Sequence, residues 1–188
     1  NGQSQHTWAR ALGWYAMALT ECLEQIPPEF PRRDSVVTLY RQVMDAVMRC
    51  QDPTTGLWYD VMDVKAPDNY LEATASCMFA YTLLKGFREG YLPEKARIAG
   101  RKAYQGILRH FIRVNPDKTL SLTSCCAVSG LGPGPGPYVR KPDYRRDGSF
   151  KYYMSEPVRD NDAKGIGPFL WASLEMERLL ASNHEPAL

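Results

Sequence analysis

The 188 residues are 44% hydrophobic and 23% charged, long and apolar enough to build one core and too apolar for a disordered chain. Lys+Arg 23 against Asp+Glu 21 leaves a net charge of +2, which supplies no broad positive field, so neither nucleic acid nor an anionic membrane surface is expected as a partner. Five cysteines, an odd number with Cys125 and Cys126 adjacent, suit buried thiols rather than a disulfide framework, and no CxxC or Cys/His spacing calls for a metal.

No apolar run approaches the ~20 residues that a bilayer span needs. The chain opens at Asn1 rather than Met and enters an apolar helix almost at once, which reads as a cut inside a longer protein. Cysteines that read as reduced thiols lean toward a cytoplasmic compartment.

In chain order, Trp8, Leu12, Tyr15, Leu19 and Leu23 recur at steps of three to four, the spacing of an amphipathic helix that Pro27 and Pro28 end. A second helix is expected from Asp34, an N-cap residue type, with Val36, Leu39, Tyr40, Val43, Val47 and Met48 on one face. The turn residues 52–56 break it. A third helix, over about 70–88, carries only Glu72 as a charge between Leu71 and Leu84, so it is expected to be buried all round. A fourth, over about 93–113, opens on Pro93 and sets seven charges opposite Ile98, Tyr104, Ile107, Leu108 and Phe111; it faces water on one side. The Gly/Pro run 130–137 can be neither helix nor central strand. A last helix, over about 166–180, has no charge before Glu175, and its first half is expected to be buried.

An internal repeat organises these pieces. Gly56 is followed thirteen residues later by Asn69 and a charge-poor helix, and Gly148 is followed thirteen residues later by Asn161 and another. A turn, an aromatic hairpin and a polar cap entering a buried helix thus occur twice, as in stacked helical hairpins. The pattern implies two rings, charge-poor helices inside and amphipathic ones outside. Free N–H groups and helix dipoles at the starts of the inner helices then make one mouth that favours anions. Segments 6–14, 69–74 and 155–167 are expected to converge there.

Trp8, Arg10 and Trp14 fall on the first turns of the first helix. Indoles stack on the C–H face of a pyranose and guanidinium offers a bidentate fork to a carboxylate, so the trio suits an acidic sugar. The bland alternative is two core tryptophans and a surface ion pair. Glu72 either caps its helix or touches substrate. Asn161, Asp162 and Lys164 either cap the last helix or reach a ligand.

The segment Trp8-Ala9-Arg10-Ala11-Leu12-Gly13-Trp14 resembles the W-x-R-G-N-G-W motif of glycoside hydrolase families 88 and 105, the unsaturated glucuronyl and rhamnogalacturonyl hydrolases. Residues 70–79 are similar to the family's L-E-T-S-x-S-A-M-F helix start, and residues 155–170 to its S-x-P-x-x-x-N-D-x-K-G-x-G-x-F-L segment. Order and gaps fit across essentially the whole chain. The resemblance implies an all-α, six-hairpin (α/α) toroid of which residues 1–188 supply about half, the C-terminal portion of a single glycosidase domain. It implies no cofactor and a partner oligosaccharide bearing a Δ4,5-unsaturated uronate. Trp8, Arg10, Trp14, Glu72 and Lys164 are its candidate substrate-binding residues.

The family's catalytic Asp and a second essential Asp precede the tryptophan motif, and nothing in this chain matches their context, so no catalytic residue is assigned. The ring would need the missing N-terminal half or a second copy. Ala11-Leu12 departs from the family's Gly-Asn, which puts sugar specificity in doubt. A conventional inverting glycosidase using Glu72 or Asp162, and a carbohydrate-binding module without turnover, are the competing readings.

Overall fold

A computed structural model describes residues 4–132 and 146–183. Helices dominate: α1 (Ala9–Gln25), α2 (Arg33–Arg49), α3 (Ala73–Arg88), α4 (Glu94–His110), the single turn α5 (Phe150–Tyr153) and α6 (Ala163–Asn183). Four short strands make two antiparallel ladders. In one, β1 (Ile112–Val114) pairs with β2 (Leu120–Leu122); in the other, β3 (Cys125–Cys126) pairs with β4 (Val158–Arg159).

Helix α3 is the hub, because its charge-poor sequence can be wetted on no side. Every residue from Ala73 to Gly86 is buried. Small residues let its neighbours come close: a Cβ on Gly13 of α1 would meet Met78 Sδ at 2.6 Å, and one on Gly165 of α6 would meet Cys125 Sγ at 2.9 Å and Thr74 Oγ1 at 3.1 Å. Further along, Glu21 of α1 reaches Tyr81 and Lys85, while the Tyr81 and Trp171 rings lie 5.4 Å apart. Matching starts and ends mean that α1, α3 and α6 run parallel. Helices α2 and α4 run the other way outside them: Tyr40 donates to Thr82 O, Trp58 beside the start of α3 donates to Val47 O at 2.8 Å, and Gly100 packs on Leu84. Parallel inner helices backed by antiparallel outer ones make the two-layer (α/α) arrangement expected.

Several boundaries differ from the sequence expectation for local reasons. Arg32, not Asp34, is the N-cap of α2; Asp34 sits in the first turn, where its charge complements the dipole. Residues 70–72 are extended, not helical, because Leu71 bridges Tyr59 and Tyr70 O accepts from Asp60 N. Pro93 is the N-cap of α4 rather than its first helical residue, and α4 ends at His110 so that β1 can form. Helix α6 starts three residues earlier than expected and carries Pro168 inside it.

The repeated turn is real at its glycines, Gly56 at φ 78° and Gly148 at φ 75°, a region costly for other residues. Neither repeated Asn caps its helix. Glu72 caps α3 through Ala75 N at 2.6 Å, and Asp162 accepts from Lys164 N at 2.9 Å at the start of α6. Residues 133–137 of the Gly/Pro run lie outside the described residues.

The two flanks of the inner layer are apolar and uncovered. Tyr15 on α1 is 44% exposed, and Leu170, Trp171 and Leu174 on α6 are 45–55% exposed. All five cysteines are free, Cys77, Cys125 and Cys126 buried, Cys22 and Cys50 exposed. Among the described residues no helix is long and apolar enough to cross a membrane.

The close approaches make a paired prediction. A Cβ at Gly106 would stand 2.3 Å from Thr55 O, so Gly106→Ala should cost roughly 1–3 kcal/mol as α4 is pushed off the turn. Gly167 has nothing within 4 Å of that position, and Gly167→Ala should leave stability unchanged or raise it by up to ~1 kcal/mol. Urea unfolding of the two variants checks the contrast.

Candidate active site mouth

The starts of α1, α3 and α6 are sewn together by main-chain bonds from the segments between them. Ala9 N donates to Asp60 O at 2.8 Å and Glu72 N to Trp58 O at 2.9 Å; Ala73 N donates to Ser124 O, and Asn161 N to Leu122 O. Trp8 also bridges Val61. The three segments expected to meet do meet, and β3 lies among them.

The main chain of one residue joins α1 and α3 directly. The Cys126 N–H donates to Glu72 Oε1 at 2.9 Å, while Cys126 O accepts from Arg10 Nη1. Glu72 is fully buried, with Oε2 on Ala75 N and Oε1 on Cys126 N. Burial pushes its carboxyl up, and the two N–H groups with nearby Arg10 oppose that shift. The geometry is that of a helix cap. Arg10 is buried too, at 1% exposure, with its guanidinium 4.8 Å from the Trp8 ring centroid. The wide-open fork expected from the sequence is thus partly occupied by protein.

Trp8 is half-buried. Its ring stacks on Tyr153 with centroids 6.3 Å apart, and its Nε1 donates to Asp60 Oδ1 at 3.0 Å. Trp14 lies one turn beyond Arg10 on the same helix face and is largely exposed. Lys164 starts α6 with its Nζ 2.8 Å from Asp162 Oδ1, and Arg159 holds the same carboxylate. These cations keep Asp162 ionised, below the usual carboxylate range, against the opposing effect of burial. His6 Nδ1 lies 3.0 Å from Asp63 Oδ2 near the start of α1.

The sequence reading passed over Asp60. Its side chain is buried, Oδ2 has no hydrogen-bond partner, and the neighbouring Tyr70 hydroxyl has none either. Burial, aided by the Glu72 charge, pushes the Asp60 carboxyl up to about 8. The available signal was an Asp in the otherwise apolar stretch Leu57-Trp58-Tyr59-Asp60-Val61-Met62, where a charge has no water to meet it. Buried Glu156, with both Oε atoms unpartnered, was passed over as well. Among the described residues no group of three or more His, Cys, Asp or Glu could hold a metal ion.

The Asp60 shift has a direct consequence for stability. The folded carboxyl keeps its proton up to about pH 8, whereas the unfolded one loses it near ~4. Folding therefore takes up a proton between those values, so this group favours folding most below pH ~4, progressively less as pH rises, and evenly above ~8. Asp60→Asn, which cannot ionise, should gain stability over the parent at pH 8, and the gain should shrink toward pH 4. Urea midpoints measured across that range check the sign.

The residues 1–180 match the model of Glycosyl Hydrolase Family 88. Protein Atu3128 of Agrobacterium fabrum is 36% identical over 180 residues, 93% of this chain and 73% of that protein. Unsaturated rhamnogalacturonyl hydrolase YesR of Bacillus subtilis is 35% identical over 77 residues, 41% of this chain and 22% of that protein. Among solved structures, a family 105 glycoside hydrolase of C. acetobutylicum superposes with a TM-score of 0.85 at 42% identity, covering 94% of this chain and 47% of that one. The unsaturated glucuronyl hydrolase of Bacillus sp. GL1, at 16% identity and a TM-score of 0.60, shares the fold. The chain spans about half the length of these solved structures. The family match, with the shared (α/α) toroid, leads to one conclusion: this chain belongs to glycosyl hydrolase family 88.

Proposed function

We propose that the chain forms one wall of the sugar pocket of an unsaturated uronyl hydrolase, which removes a Δ4,5-unsaturated uronic acid from the non-reducing end of lyase-generated oligosaccharides. The observation that carries the reading is the gathering of three parallel helix starts around Trp8 and Arg10, at a mouth where helix dipoles favour an anion. The names of two relatives, an unsaturated rhamnogalacturonyl hydrolase and an unsaturated glucuronyl hydrolase, point to the same substrate class.

In this reaction a carboxylic acid protonates C4 of the vinyl ether, water adds at C5 as it loses a proton to a base, and the resulting hemiketal opens to release the neighbouring sugar. This chain supplies binding, not the acid. Glu72 has both oxygens committed to main-chain N–H groups, and Asp162 is held ionised by Arg159 and Lys164. For the same reasons an inverting mechanism through these two carboxylates gains no support. The wall is built from Trp14, open to solvent, from the Arg10 charge behind Trp8, and from Lys164 at the start of α6; Glu72 serves it by fixing the start of α3. The acid comes from protein outside this chain, and the rest of the ring from that protein or from a second copy seated on the apolar flanks.

Calorimetry with a lyase-generated unsaturated disaccharide should show binding that a saturated analogue lacks, and Trp14→Ala should weaken it by at least roughly 0.5–1.5 kcal/mol, the scale of one aromatic contact. This chain alone should leave the ultraviolet absorbance of the conjugated double bond unchanged. Absence of binding would remove the sugar wall, and bleaching by the chain alone would place the acid within it.

A further inference from the structure

Two buried carboxylates, Asp60 and Glu72, share the vicinity of one buried guanidinium, Arg10. If both were ionised the cluster would carry a net negative charge inside the fold, which is costly without a second cation. Hydrogen bonding decides which one takes the proton. Both Glu72 oxygens accept main-chain N–H groups, an arrangement that favours the charged form. Asp60 Oδ1 accepts from the Trp8 indole, and its buried Oδ2 makes no well-formed hydrogen bond, with the Tyr70 hydroxyl close enough to favour its ionised form weakly. Asp60 thus lacks the main-chain donors that hold Glu72 ionised, and its side chain is left with the neutral Trp8 indole and the nearby Tyr70 hydroxyl, so the proton rests on Asp60.

We propose that Asp60 is a positioning residue for uronate capture: as a neutral acid it anchors the Trp8 indole beneath Arg10, and as a carboxylate it would spoil the mouth for an anionic sugar. The proposal rests on the sugar reading above and deepens it. Three bonds fix the geometry. Asp60 N donates to Tyr70 O, Asp60 O accepts from Ala9 N at the first residue of α1, and Asp60 Oδ1 accepts from Trp8 Nε1. The indole plane, and with it the surface over which Arg10 lies, is therefore set from the segment between α2 and α3.

The charge balance adds the pH dependence. With Asp60 neutral, Arg10 and Glu72 cancel and the helix starts dominate the local field. With Asp60 ionised, one uncompensated negative charge lies behind Trp8 and competes with substrate for Arg10. The other titratable groups facing Asp60 are the Tyr70 and Tyr153 hydroxyls and the Cys126 thiol. Burial raises all three, so they stay neutral through the range in which Asp60 titrates, its carboxyl being pushed up to about 8.

The test compares the parent with Asp60→Asn, which stays neutral and keeps an acceptor for the indole, and with Asp60→Ala, which loses that acceptor. Calorimetry with the unsaturated disaccharide from pH 6 to 9.5 should show parent affinity level below about pH 7 and falling roughly three- to tenfold on going above 8. Asp60→Asn should bind as the parent does at pH 6 and stay level throughout, and Asp60→Ala should bind more weakly at every pH. In parallel, the near-ultraviolet dichroism of the tryptophans should titrate near pH 8 in the parent and not in Asp60→Asn. If no protein binds the sugar yet the dichroism titrates only in the parent, the sugar reading fails while the Asp60–Trp8 coupling survives. A parent profile that Asp60→Asn reproduces, in affinity or in dichroism, would overturn the proposal.

Discussion

The main chain of Cys126 is the constraint around which the rest of the molecule is arranged. Its N–H is held by Glu72 at the start of α3 and its C=O by Arg10 in the first turn of α1. Its strand is laddered to β4, which runs directly into α6. Three inner helices that are far apart in sequence are thereby brought to one level at their starts. Each bond of this clamp lies out of water, where an unsatisfied partner costs more than the bond contributes when made, so the parts hold their places together or not at all.

From that alignment the functional character follows. Parallel helices begun at one level present the positive ends of their dipoles to the same space. Small residues at Gly13 and Gly165 keep the helices close enough for that space to be shared. The outer helices α2 and α4 cover the back of the layer, while the flanks of α1 and α6 remain apolar and open. The chain spans about half of the solved toroids it resembles, and exposed aromatic flanks of this kind suit a protein contact.

Much of the fold was legible because helical periodicity and charge depletion are direct consequences of burial. The charge-poor run between Leu71 and Leu84 marked the third helix as buried, and the recurring Gly56 and Gly148 marked two turns that the structure holds at positive φ. The short ladders were not legible: Cys125–Cys126 and Val158–Arg159 are two-residue strands, too short for any alternation to register. Capping misled for a related reason. Asn69 looked like the cap of α3, but its amide serves Val61 and Val64 and leaves the helix start to Glu72.

The candidate site was legible in membership more than in role. Trp8, Arg10 and Glu72 do assemble, yet Arg10 and Glu72 are bound to main chain, and Trp8 already has Arg10 and Tyr153 against its ring. Sequence spacing reports which residues share a helix end; it does not report which of their atoms the rest of the fold consumes. Asp60 escaped notice because its partners, Trp8 and Tyr70, lie in different segments and no local motif marks it.

The most direct measure of the Cys126 clamp is a double-mutant cycle between Arg10→Leu and Glu72→Gln, read by urea unfolding at neutral pH. Two side chains holding the N–H and C=O of one buried residue should be coupled, so the double variant should lose less stability than the two single losses added, by about 1–2 kcal/mol. Losses that simply add would show that α1 and α3 are placed independently, and would contradict the account.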